Sequence, residues 1–184
     1  MKRIVVAVLG CVLFAPSITV AQTAAETVER ALLPLSGRTR EGAAVVRWNA
    51  DFTWETLKEG TNTWVCYERS GDPAEAPFAV QCTSKANLPR VAQNRRLDAQ
   101  GKTPEERAAL VTAAAANGTR VDAEFGSMFV SLSGNDRASA TIHTTIAVPF
   151  ATGKSTGLPE NGRGGGAFVM AAGTSEAHIM VPGR

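Results

Sequence analysis

From Ala43 to Glu68 the chain alternates apolar and polar residues with a period of two, as in Val46 and Trp48, Phe52 and Trp54, and Val65 and Tyr67. Successive side chains of a strand point to opposite faces, so such runs can bury one side and wet the other. Asn49-Ala50-Asp51 and Glu59-Gly60-Thr61-Asn62 place turn-forming residues between the runs. The pattern predicts three antiparallel strands at 43–48, 52–58 and 63–68, joined as a meander. Residues 69–77 read as a loop, and a short strand at 78–82 ends on Cys82.

The start of the chain reads as an address. Lys2 and Arg3 precede an apolar run from Ile4 to Phe14, and Thr19-Val20-Ala21 offers small residues for cleavage between Ala21 and Gln22. The run is shorter than the ~20 residues a membrane-spanning helix needs, and Pro16 interrupts its end. Residues 1–21 are therefore expected to be a signal peptide, and 22–184 a single exported domain, periplasmic or secreted. The rival is a lipoprotein signal at Val8-Leu9-Gly10-Cys11, disfavoured because only seven apolar residues would precede Cys11.

Export changes the charge and the cysteine arithmetic. The full chain has 19 Lys and Arg against 17 Asp and Glu. Lys2 and Arg3 leave with the signal and no acid does, so the mature chain stands at 17 against 17. Nothing remains of the basic surplus that a nucleic-acid partner demands. Arg95-Arg96 is the densest basic spot and reads as a solvated helix face. Loss of Cys11 leaves Cys66 and Cys82, an even pair in an oxidising compartment. A disulfide is expected, worth about 3 kcal/mol for a loop of that length. Zinc ligation is the rival, but the spacing is not that of a close C-x2-C pair and no third thiol remains.

Beyond these runs the chain reads as helices and more strands. Thr23 and Glu26 form a capping box for a short helix that Pro34 ends. Residues 84–100 carry Leu88, Val91, Ala92 and Leu97 at helical spacing, with Pro89 tolerable in a first turn. Thr103-Pro104-Glu105-Glu106 opens another helix, which Asn117-Gly118 closes. Strands are expected at 125–132, 140–148, 167–171 and 177–181. Between the second and third lies a Gly-, Ser- and Pro-rich loop at 151–166, read as flexible. The resulting fold class is α+β: an N-terminal three-stranded meander plus C-terminal strands in an antiparallel sheet, with two or three helices.

Chemistry-bearing motifs are few. Gly153-Lys154-Ser155-Thr156 is not a phosphate loop, because Val148 stands where the first glycine belongs. Gly173-Thr174-Ser175-Glu176-Ala177 falls one glycine short of a nucleophile elbow and precedes a strand rather than a helix, so it reads as a hairpin turn. His143 and His178 are the only histidines, each in an expected strand. Converging with Glu176 they would make a metal or catalytic site; apart, each is a hydrogen-bonded packing residue. They are expected to lie too far apart to share a metal ion. Trp48, Trp54, Trp64 and Tyr67 include every Trp and Tyr of the protein. Such rings fill a core or grip a ligand, and the core reading is preferred.

Lys58-Glu59-Gly60-Thr61-Asn62-Thr63-Trp64-Val65-Cys66, the second cysteine, and the ending His178-Ile179-Met180-Val181-Pro182-Gly183 resemble a group of short exported bacterial proteins. These share a signal peptide, an EGTN-type turn before the first cysteine and a histidine near the C-terminus. The resemblance implies export and a disulfide, and it brings no activity or cofactor with it. The expectation is a non-catalytic binding or envelope-interaction module. It would offer Trp54, Trp64, Tyr67, His143 and His178, or the 151–166 loop, to a protein, peptide or glycan. No cofactor or metal is assigned, and the mature chain carries no membrane span. The alternative is a small exported enzyme or metal-binding protein built on His143 and His178.

Overall fold

The computed structural model describes residues 23–73 and 75–182. The expected signal peptide, its cleavage point and Cys11 lie outside the described residues. The first helix, α1 (Ala24–Ala31), is capped by Thr23, whose hydroxyl accepts from Glu26 N while the Glu26 carboxylate accepts from Thr23 N. Both halves of the capping box are thus made, and two backbone donors that a helix start leaves orphaned are satisfied. A second short helix, α2 (Gly37–Gly42), leads into the sheet.

The alternating runs form β1 (Ala44–Trp48), β2 (Trp54–Lys58) and β3 (Trp64–Glu68), followed by β4 (Phe78–Ser84). β1 and β2 are an antiparallel hairpin, with Trp48 opposite Trp54. The meander, however, is not made. β3 lies on the other side of β1 and runs parallel to it, Ala44 opposite Val65 and Val45 opposite Cys66. The reason lies in the EGTN segment, which crosses the start of β1 instead of turning back along β2. Thr61 N and Asn62 N both donate to Gly42 O, and Asn62 Nδ2 donates to Thr39 O. Gly60 presses so closely on this corner that a Cβ there would sit 2.3 Å from Ala44 N. Gly60→Ala should therefore force backbone apart and cost about 2 kcal/mol in urea unfolding, as overpacking does. A variant as stable as the parent would refute the crossover.

After a 3₁₀ turn (Lys85–Asn87) come α3 (Leu88–Gln100), with Pro89 in its first turn, and α4 (Pro104–Ala116). Thr103 Oγ1 accepts from Glu106 N at the start of α4, and Gly118 takes φ +74° just past its end. Both devices were legible in the sequence. The chain then returns through β5 (Met128–Gly134) and β6 (Thr141–Ala147). Residues 151–166 contain a helical turn, α5 (Gly153–Thr156), and a 3₁₀ turn at Gly162–Gly164. The chain ends with β7 (Phe168–Met170) and β8 (His178–Val181).

Among the described residues, eight strands form one sheet in the order β2-β1-β3-β4-β5-β6-β8-β7, antiparallel except at β1–β3. The class is α+β as expected, but the sheet is mixed, and the described residues hold five α-helices where two or three were expected. Period-two alternation sorts the core to both faces. Val45, Cys66 and Cys82 pack with Ala31, Leu32 and Leu35 of the α1 side. Ala44, Val46, Val65 and Tyr67 pack with Leu88 and Val91 of α3. Helix α3 thus lies over one face of the sheet, with α4 packed against it, and α1 lies over the other.

Cys66 and Cys82 stand directly opposite each other on β3 and β4 and are bonded, with S–S 2.06 Å. Both are fully buried beneath α1. Among the described residues no helix is long and apolar enough to cross a membrane.

Candidate functional site

The four aromatic rings do not share a face. Trp48 makes edge-to-face contacts with Trp54 at 5.5 Å and with Tyr67 at 5.6 Å between centroids. Trp64, one residue out of phase with Tyr67 on β3, points to the α1 side instead. Tyr67 is fully buried, and its hydroxyl, held well above the usual phenol range by that burial, donates to Gln81 Oε1 at 2.7 Å. Tyr67 is a core residue, Trp64 is half-buried against the α1-side core, and Trp54 is the most exposed of the four rings.

Arg95 and Arg96 also part company. Arg95 clamps Asp72 through two 2.6 Å bonds and lies 5.2 Å from the Trp48 ring centroid, while Arg96 is exposed. The expectation of a solvated basic face therefore fails for Arg95. Its helix position faces the 69–77 loop, which supplies the fork's carboxylate.

The histidines share a sheet face but not a site. His143 is opposite Ser131, and His178 is opposite Ala147 and Met170. His143 and Ala147 are four strand residues apart, so the imidazoles attach about 13 Å from each other along the sheet. His143 is exposed; His178 is half-buried, with Nδ1 2.7 Å from Glu176 O. Among the described residues, no three His, Cys, Asp or Glu side chains gather as a metal-ligand group.

A cleft does form where helices α3 and α4 stop short of covering the C-terminal strands. Its volume is about 460 Å³. The floor is the α3-side face of the sheet: Gln81 from β4, Phe129 from β5, Thr145 and Ala147 from β6, and His178 from β8. Antiparallel register puts these on one face, since Gln81 opposes Ser131, Phe129 opposes Thr145, and Ala147 opposes His178. One wall comes from Arg90, Val91, Asn94 and Asp98 on α3, with Arg107 reaching over from α4. The opposite rim is Met170 with Ala171, Ser175, Glu176 and Ala177 of the loop that follows it.

That loop is the segment GTSEA, and it is the hairpin turn expected of it, linking β7 to β8. Ala171 (φ 54°) and Gly173 (φ 75°) let the chain double back, and Thr174 Oγ1 donates to Ala171 O. Phe150 N donates to Thr174 O and Val148 N to Ala177 O, pinning the loop to the strand beside it. Ser175 is buried, and its carbonyl accepts from Arg90.

The loop delivers Glu176 into a group of guanidiniums. One oxygen, Oε1, lies 3.2 Å from Arg120, 3.5 Å from Arg107 and 3.9 Å from Arg90. Arg107 is also paired with Asp98. Arg90, 4% exposed, donates to Val121 O at 2.5 Å and to Ser175 O at 3.2 Å. Burial, with the neighbouring charge of Arg120, pushes the Arg90 guanidinium down to about 10. Burial lowers Arg120 likewise. Burial acts to lower Arg107 too, but its bond to Asp98 and the charges of Glu176 and Asp98 outweigh it, and the net shift is upward. Sequence reading missed this constellation because its members are spread from position 90 to 176. The available signal was Arg90 inside the apolar helical pattern of Leu88, Val91 and Ala92. Comparison with known protein families, with curated proteins and with solved structures finds no match to this chain.

Proposed function

We propose that the chain is an exported, non-catalytic binding module, periplasmic or secreted, whose recognition site is the cleft between the α3–α4 layer and the C-terminal half of the sheet. The observation that carries this reading is the cleft itself. Its volume of about 460 Å³ falls in the range of small-molecule sites, and apolar floor residues meet a few convergent polar groups there. The aromatic strand residues are mostly committed to packing. No hydrogen bond links Ser175 Oγ to an imidazole among the described residues, so the cleft lacks the nucleophile–base pair of an acyl-transfer site. A buried cystine on adjacent strands suits an oxidising compartment.

Thr145, half-buried on the floor, is the place to plug the cleft. Fragment hits found by ligand-observed NMR on the parent should bind Thr145→Trp at least tenfold more weakly, with its melting temperature within a few degrees of the parent. Hits that bind the plugged variant equally well would place recognition elsewhere. The export half of the proposal is checked by fractionation and N-terminal sequencing: a mature chain beginning at Gln22 is expected, and full-length cytosolic protein would refute it.

A further inference from the structure

We infer that the cleft takes an amphiphilic organic anion, its apolar body over Phe129 and Met170 and its oxyanion head at the Arg107 end. This rests on the cleft being the recognition site. Three guanidiniums, Arg90, Arg107 and Arg120, share two carboxylates, Asp98 and Glu176, within ion-pair distance. Asp122 is nearby but exposed and makes no ion pair there. Like charges held together in a partly dry site repel, and one more anion would relieve them.

A second observation points the same way. Four arginines, Arg69, Arg90, Arg95 and Arg107, line the cleft against two carboxylates, Asp98 and Glu176. Cationic groups therefore outnumber anionic ones along its lining. Arg107, one-third exposed, is the member that a ligand can reach from the cleft, with the nearly buried Arg90 beside it. A guanidinium fork matches the planar oxygens of a carboxylate or the face of a phosphate, which is why oxyanions are the chemistry it selects. The rest of the cleft is not built for a bare inorganic ion. Phe129 is half-buried and Met170 is 49% exposed, an apolar strip leading away from the arginines.

The test uses hexanoate, hexyl phosphate and hexanol as probes, titrated into the 15N-labelled mature protein. Amide shifts and arginine Nε–Hε resonances are followed. Hexanoate or hexyl phosphate should bind at least tenfold more tightly than hexanol, shifting Arg107 Nε–Hε and the amides of Phe129 and Thr145. Response to both anions assigns general oxyanion recognition, and response to one alone assigns that head group. Arg107→Gln should erase most of the preference while leaving hexanol unchanged. Glu176→Gln, which frees the shared guanidiniums, should tighten the anions severalfold. If hexanol binds the cleft as tightly as either anion, the anion inference falls and the cleft reading stands. If no probe moves cleft residues, both fall.

Discussion

Arg90→Met is expected to lower the stability of the protein by about 3–5 kcal/mol, the cost of removing one member of a buried ionic group. Methionine keeps much of the side-chain volume, so the loss is chiefly polar. Val121 O and Ser175 O lose their guanidinium donors in a place where Arg90 is only 4% exposed. Each orphaned buried acceptor costs about 1–3 kcal/mol. Relief of the repulsion between Arg90 and Arg120 works against this but is smaller, because Glu176 already lies between them. Single domains hold about 5–15 kcal/mol in all, so the variant should unfold at clearly lower urea with an unchanged slope. A loss below about 1 kcal/mol would mean that the arginine does not tie α3 to the 117–123 segment and the β7–β8 loop.

Removing both sulfurs is the second large effect. Cys66→Ala with Cys82→Ala should cost about 3 kcal/mol, since the bridge closes a sixteen-residue separation and restricts the unfolded chain. The folded state should change little, because β3 and β4 remain paired through five registered positions from Trp64–Ser84 to Glu68–Val80. Urea unfolding of the double variant against the oxidised parent measures this. Equal stability, or an intact mass showing two free thiols in exported material, would contradict it.

The parts of the fold that local chemistry decides were legible in the sequence. The Thr23 capping box, the Thr103 N-cap, the Asn117-Gly118 stop and the alternating strands each announce themselves within a few residues. Strand order was not legible. Alternation fixes which face a side chain takes and is silent on which strand lies beside it, so a meander and the β2-β1-β3 order share one pattern. What separates them is the contact of Gly60 with the Ala44 backbone, a long-range packing fact. The Trp64–Tyr67 pair illustrates the same limit. Their odd spacing already required opposite faces, yet their closeness in sequence suggested one aromatic surface. The cleft was the least legible feature, because Arg107 on α4 and Arg120 in the segment after it look like solvated charge, and Arg90 like a stray charge in an apolar helix pattern, until Glu176 is brought among them.

Ligand recognition in the cleft is tested most directly by a crystal structure of the mature, oxidised protein grown with hexanoate. The expected result is a carboxylate within hydrogen-bond reach of Arg107 and an alkyl chain lying against Phe129 and Met170. A cleft empty of ligand at a hexanoate concentration that saturates the protein in solution, or hexanoate seated instead against Trp54 and Trp48, would contradict it.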